Sequence, residues 1–327
     1  MSARYRLPLL GWLLALALAL AVPALLGTAF YLHTATLALI FVTLAVAYDL
    51  VVGRIGALSL AQPVFYAFGA YTAGLMSIHV GTGIWLELLA AGSGAALLAV
   101  AIGIPAFRLS LHAFAIGTLG FALTAHLVAR NWIDVTGGPL CISPIPPISI
   151  PLPGGTVSVG SPAGNYYFIL AIAAGTILTV ALLARSRLGS AFIAVRDDPV
   201  LAAARGLWPT RLRLTAFAMS AFLSALAGVF SAHFQRVVCP TQVDLPITVL
   251  LLIMVFVGGR ASLRGVVTAA IVFTIIPQLL RVADEWRLVI FASLLLIVVT
   301  QVPDGIEHLY RRFGAWISGW QRGRTDA

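Results

Sequence analysis

The sequence predicts an all-α fold. It reads as a polytopic transmembrane bundle of about ten spans, some broken or re-entrant, with both termini in the cytoplasm. Three observations carry this. The 327 residues are 61% hydrophobic and 9% charged, with a mean hydropathy of +1.02, a balance that soluble domains of this size do not show. Apolar windows of membrane-spanning length recur along the whole chain. The arginines between those windows fall almost entirely on one side when the windows are crossed in turn.

The windows lie at 7–27, 34–52, 63–80, 84–107, 113–129, 166–184, 214–233, 245–257, 266–280 and 288–302. Arg4 and Arg6 precede the first, whose apolar stretch of about 20 residues exceeds the roughly 7–15 of a signal-peptide core. It is expected to be an uncleaved first span. Gly and Pro interrupt 63–80 and 245–280, which are therefore expected to hold half-helices or re-entrant turns. Such breaks are tolerated at membrane depth only where protein or a water-filled cavity satisfies the freed backbone.

Charge sets the sidedness. The net charge of +9 comes from 20 arginines and no lysine. With the N-terminus in the cytoplasm, all but Arg130, Arg236, Arg281 and Arg287 face inward, as the positive-inside rule demands. The basic excess is thus read as topological. No aromatic-interleaved basic patch points to nucleic acid. The chain is expected to be one transmembrane domain, 1–327, with a core at 30–305, an outer loop at 130–165, an inner loop at 185–213 and a cytoplasmic tail at 306–327.

The outer loop is rich in Pro and Gly with alternating Ile. Proline density excludes a helix there and favours extended strands with tight turns. It reads equally as a solvated connector or as a surface for a partner. Cys141 and Cys239 both fall on the outer side and read as unrelated free thiols. An oxidising compartment leaves a disulfide between the two outer loops as the alternative.

The inner loop, RSRLGSAFIAVRDDPVLAAARGLWPTRLR, is the longest charged interruption and carries its own helix signals. Asp198 suits the N-cap and Pro199 the first helical position. Gly206 suits the left-handed residue that ends a helix, with Pro209 beyond it. About two turns remain, well below the roughly 12–15 residues an isolated helix needs in water. Its stripe of Val200, Ala203, Ala204 and Leu207 is shallow, which suits docking into another surface.

Catalytic chemistry is missing. There is no HExxH, CxxC or GxSxG, and no GxxxxGK[ST] loop for nucleotide phosphates. His33, His79, His112, His126, His233 and His308 lack ligand spacing, so no metal or cofactor is expected. Asp304 and Glu307 read as a solvated face. Proton-coupled carriers bury several ionisable groups as relays. Here Asp49 lies at the inner end of its span within reach of Arg54, while Glu87 and the Arg281/Asp284/Glu285/Arg287 cluster lie at outer ends. A transporter with neither ion relay nor nucleotide loop draws its energy from a partner. The competing readings are a self-sufficient carrier or channel using Asp49, and a membrane-embedded enzyme, for which clustered catalytic residues are wanting.

A second constellation, GRIGALSLAQPVFYAFGAYTAGLM, spans 53–76. Gly53, Gly56, Gly69 and Gly74, with Pro63, point to a broken helix entry and close helix packing. Ser59 and Gln62 at the break, Phe65, Tyr66 and Tyr71 on the helix, and Asp49 upstream are the residues expected to line a translocation path. Packing against core or lipid is the alternative for the aromatic residues. A short echo, GRASLRG, occurs at 259–265.

These stretches resemble the LivM-type permease subunit of branched-chain amino acid ABC importers. The family pattern GYTGQLSLGHAAFFGIGAYTAA is matched by GRIGALSLAQPVFYAFGAYTAG, and NNWxxLTGG is echoed by Asn131-Trp132 through Thr136-Gly137-Gly138. IREDExAAEALGINxTRYKLLAF is echoed by AVRDDPVLAAARGLWPTRLRLTAF, and GGxGSLxGPxxGA by GGRASLRGVVTAA. The matches run in order from about residue 45 to 280. The resemblance implies a non-enzymatic subunit of a bacterial inner-membrane importer. Asp197, Asp198, Pro199, Ala202, Ala203, Ala204, Arg205 and Gly206 would form its coupling helix, seated on a cytoplasmic ATP-binding subunit. It further implies a paralogous permease subunit, a periplasmic solute-binding protein, lipid around the spans and a small-molecule substrate. The acidic residue usual in the coupling motif is Ala203 here, leaving Asp197 or Arg205 for any ion pair with the ATPase. The usual Gln, Gly and His of the first motif are Ala57, Ala61 and Gln62, and the usual Asn upstream is Asp49. These departures raise urea, amides or aromatic acids as alternative cargo.

Overall fold

The computed structural model describes residues 17–24, 28–152, 155–158 and 160–279. Most of the expected first span, the last span, the tail and the clusters at 281–287 and 304–308 lie outside the described residues. So do both termini.

Helix α1 (Ala29–Asp49) is apolar throughout, and its threonines are reconciled with that setting locally. Thr34, Thr36 and Thr43 donate to the carbonyls of Phe30, Leu32 and Leu39 at 2.8–3.0 Å. A π-helical stretch, Leu50–Ile55, continues α1 and stops at Gly56, whose φ of 74° requires the freedom of glycine. The chain then runs unwound through 56–61 before α2 (Gln62–His79) begins, with Pro63 in its first turn. The broken entry expected from the sequence is therefore present. Side chains satisfy its exposed backbone. Tyr48 Oη donates to the Ser59 carbonyl, the Leu60 amide to Thr118 Oγ1 at 3.0 Å, and Thr248 Oγ1 to the Leu60 carbonyl at 3.4 Å.

Helices α3 (Ile84–Ala106) and α4 (Leu111–Asn131) follow, the latter capped by Ser110. The outer loop departs from its all-extended reading. Single helical turns at Ile133–Thr136 and Gly138–Leu140 precede the proline-rich part, where backbone amides remain free to donate. Beyond them β1 (Ser149–Leu152) pairs antiparallel with β2 (Gly155–Ser158), Ile150 opposite Val157. This hairpin is the one β-sheet among the described residues of an otherwise helical bundle.

Helix α5 (Pro162–Arg185) leads to α6 (Arg187–Asp197) and α7 (Pro199–Ala204), then to α8 (Pro209–Gln235). Helices α9 (Leu245–Gly258) and α10 (Leu263–Leu279) close the described chain. Among the described residues, five helices are long and apolar enough to cross a membrane: Ala29–Ile55, α3, α4, α5 and α8. The 14 residues of α9 rise only about 21 Å, short of a hydrocarbon core of roughly 30 Å. A tight turn at 259–262 joins α9 to α10, and a side chain at Gly265 would overlap the Gly258 carbonyl. The break expected within 245–280 is thus present at this turn.

Helix α8 occupies the middle, packed against α1, α2 and α3. Its crossing with α2 is a backbone contact. A side chain at Gly228 would overlap the Tyr66 carbonyl, and one at Gly69 would overlap Ala225. Around it Phe65, Phe107, Phe114 and Phe217 interlock, with ring centroids 4.5–6.2 Å apart.

The free-thiol reading of the cysteines is overturned. Ile142 bridges Val238 as an antiparallel pair, which sets the Cα atoms of Cys141 and Cys239 4.5 Å apart, and the two are disulfide-bonded. Spacing alone hid this because the bond crosses 98 residues.

Two outcomes follow. Gly228→Leu should destabilise the purified protein by about 1–3 kcal/mol or more, read as a lower unfolding temperature in detergent. Mass spectrometry without reductant should find both thiols blocked. Reduction should then lower stability by up to about 4–5 kcal/mol, the chain-entropy value for a loop near 100 residues.

Candidate coupling and translocation sites

The loop carrying the predicted docking helix is built from caps. Asp198 Oδ1 accepts the amides of Val200 and Leu201 at 2.8 and 2.9 Å, and Pro199 takes the first turn. Gly206 adopts a φ of 82°. Its amide reaches the Ala203 carbonyl at 2.9 Å, and the Leu207 amide reaches the Ala202 carbonyl at 3.1 Å. That pair of bonds is the Schellman arrangement. Ala202 is the inward-facing residue of α7, so it seats the helix on its own protein and is unavailable for docking. Asp197, Asp198, Ala203, Ala204, Arg205 and Gly206 are exposed, and Pro199 is half-buried. Val200 is 78%, Leu201 50% and Trp208 64% exposed, so this short element displays apolar surface that its own fold does not cover. Arg211 stacks on Trp208 with its guanidinium 4.5 Å from the ring centre.

Helix α6 delivers α7 without a linker. Its last-turn partner, the Asp198 amide, bonds the Ala194 carbonyl at 3.1 Å, so Asp198 ends one helix and begins the next. Phe192 and Val195 are buried beneath it.

Most of the residues expected to line a path lie inside the bundle. Ser59, Gln62, Phe65 and Tyr66 are buried between α1, α2 and α8. Gln62 Nε2 donates to Ser220 Oγ at 3.0 Å and also to Ser224 Oγ, and Ser220 Oγ donates to the Ala47 carbonyl at 2.6 Å. Tyr66 Oη donates to Ser231 Oγ at 2.6 Å. Phe65 belongs to the aromatic cluster. Tyr71 is half-buried, and its hydroxyl has no hydrogen-bond partner among the described residues. Sequence reasoning missed Ser220, Ser224 and Ser231. Their spacing with Gly228 along one face of α8 was the available signal.

Asp49 is fully buried at the arginine-bearing end of the bundle. Its Oδ1 accepts the Ala261 amide at 2.8 Å, and Oδ2 lies 3.5 Å from Arg54 Nε, the pairing expected from the sequence.

At the disulfide-bearing end, His233 and Glu87 form a buried pair that sequence reasoning also missed. Nε2 lies 2.6 Å from Glu87 Oε2, and Nδ1 lies 2.8 Å from the Pro146 carbonyl. A carbonyl only accepts, so Nδ1 carries a hydrogen, and a second proton lies between Nε2 and the carboxyl. Thr82 Oγ1 donates to the other carboxyl oxygen at 3.0 Å. The outer loop is thereby tied to α3 and α8. No cluster of metal-binding side chains occurs among the described residues.

Residues 30–299 match the family profile described as branched-chain amino acid transport system / permease component. The chain belongs to this family of permeases. It is 31% identical over 296 residues to the high-affinity branched-chain amino acid transport system permease protein LivM of Escherichia coli K12, covering 85% of this chain and 70% of that one. The Salmonella typhimurium LivM is 30% identical over the same span. The E. coli K12 permease protein LivH of that system is 25% identical over 291 residues, covering 83% of this chain and 92% of LivH. No solved structure matches the chain. The protein is thus a polytopic α-helical permease, part of an importer and not itself a catalyst.

Glu87→Leu should destabilise the permease by about 3–5 kcal/mol by leaving His233 buried without its partner. The Glu87→Leu/His233→Leu double variant should recover much of that loss in detergent unfolding curves.

Proposed function

We propose that this permease spans a bacterial inner membrane and forms half of a translocation path for a branched-chain or related amino acid. Energy comes from a cytoplasmic ATP-binding subunit that seats on α7. The single observation that carries the coupling role is the doubly capped helix itself: two turns, held rigid at both ends, presenting Val200, Leu201, Ala203 and Ala204 outward beside Trp208. The arginines at this end support its assignment to the cytoplasmic side, and the disulfide at the other end suits an oxidising outer compartment.

A paralogous permease subunit completes the path. Similarity to both LivM and LivH, two permease proteins of one named system, supports that pairing. A periplasmic solute-binding protein delivers cargo to the outer loop, whose attachment to α3 and α8 supports a docking platform. Ala57, Ala61 and Gln62, which depart from the family pattern, are buried among neighbouring helices. With Ala203 in place of an acidic residue, the contact with the ATPase is mainly apolar, edged by Asp197 and Arg205. An ion-driven carrier is disfavoured because the Asp49 carboxylate is already occupied by the Ala261 amide and Arg54.

Reconstitution with partner subunits in proteoliposomes tests the reading. Gly206→Val forces a branched residue to a positive φ at a cost of about 1–2 kcal/mol, and Ala203→Arg/Ala204→Arg places charge on the docking face. Each should lower ATP-driven uptake by about tenfold or more while membrane insertion persists. Unchanged uptake in both would sink the docking role, and ion-driven uptake by this chain alone would overturn the importer reading.

A further inference from the structure

The geometry points to Arg196 as the positioning residue that carries movement of the docking helix into the broken helices of the bundle. This rests on the proposed seating of an ATP-binding subunit on α7. Arg196 stands at the end of α6, two residues before the shared cap Asp198, so α6 and α7 form one elbow. Its Nη1 donates to the Gly53 carbonyl at 2.6 Å, across 143 residues of sequence. Its aliphatic stem lies over Gly56, where an added Cβ would come within 2.9 Å of Arg196 Cγ. A charge-assisted bond of that length is among the stronger non-covalent links available to a backbone carbonyl.

What Arg196 holds is not a passive wall. Gly53 belongs to the π-helical stretch Leu50–Ile55, a distortion that recurs at functional sites, and Gly56 opens the unwound segment before α2. The same region is locked to the turn between α9 and α10. There the buried Asp49 carboxylate accepts the Ala261 amide at 2.8 Å, and Ala261 itself sits at a φ of 61°. A side chain at Gly53 would overlap both the Asp49 carboxylate and the Ala261 amide. The two echoing segments, GRIGALSL and GRASLRG, therefore meet at this point.

Discontinuous helices are the parts of a transporter able to rearrange about a fixed site. Here both described breaks converge on one cluster, and the arginine of the docking elbow is bonded directly to it. A displacement of α7 tilts α6. Arg196 pulls on the Gly53 carbonyl, and the Asp49–Ala261 bond passes the motion to the α9–α10 turn. Were Arg196 only a structural staple, its loss would change stability without separating hydrolysis from transport.

The test uses the complete transporter, with partner permease, ATPase and binding protein, in proteoliposomes. Arg196→Gln should leave ATPase co-purification intact and hydrolysis within about twofold of wild type, while uptake per ATP falls about tenfold or more. Arg196→Lys, which keeps a cationic donor, should restore most of the uptake. If Arg196→Gln does not accumulate, Arg196→Met keeps the packing over Gly56, loses only the donor, and should show the same split. Unchanged uptake per ATP in the Gln or Met variant overturns the proposal. So does a Lys variant as deficient as Gln, or loss of the ATPase from an otherwise folded complex. Failure of the wild-type chain to retain an ATPase would instead refute the docking reading itself.

Discussion

The close approach of α2 and α8 is the contact on which the rest of the bundle depends. In lipid, helices gain little from burying apolar side chains, because the tails are as apolar as leucine. Association has to come from backbone proximity and polar bonds between helices. Gly228 lies against the Tyr66 carbonyl and Gly69 against Ala225, and this brings Ser220, Ser224 and Ser231 within reach of Gln62 and Tyr66. Those bonds are made only because the two backbones meet. The aromatic cluster around Phe217 and the contacts of α8 with α1 and α3 build outward from the same crossing.

The two ends of the bundle are held in different ways. At one end a disulfide, a β-bridge and the His233–Glu87 pair secure the proline-rich loop to the helices. At the arginine-bearing end the π-helical stretch, the α9–α10 turn and the α6–α7 elbow are joined by hydrogen bonds and the Asp49–Arg54 ion pair, all reversible. The links at the arginine-bearing end can therefore break and re-form while the disulfide-bearing end keeps its shape.

Local chemistry was legible in the sequence. Asp198, Pro199 and Gly206 each behave as their side chains dictate, because caps and left-handed residues depend on neighbours one turn away. The breaks before Pro63 and within 245–280 were legible for the same reason: Gly and Pro act on their own backbone. The pairing of Asp49 with Arg54 needed only a short reach along one helix end. The partners that Ser59, Gln62, Phe65 and Tyr66 find in the bundle were not. A polar or aromatic residue on a spanning helix looks the same whether it lines a path or bonds a neighbouring helix.

The sequence by itself determined the class of the protein, its long apolar helices and the caps of the short helix α7, all consequences of composition and short-range geometry. Tertiary structure alone decided that Cys141 meets Cys239, that His233 meets Glu87, that Ala202 faces inward and that Arg196 reaches Gly53. Except for the facing of Ala202, each of these contacts spans about a hundred residues or more. They exist because helices packed through glycine bring distant segments to the same end of the bundle, and no local rule records which segments those will be.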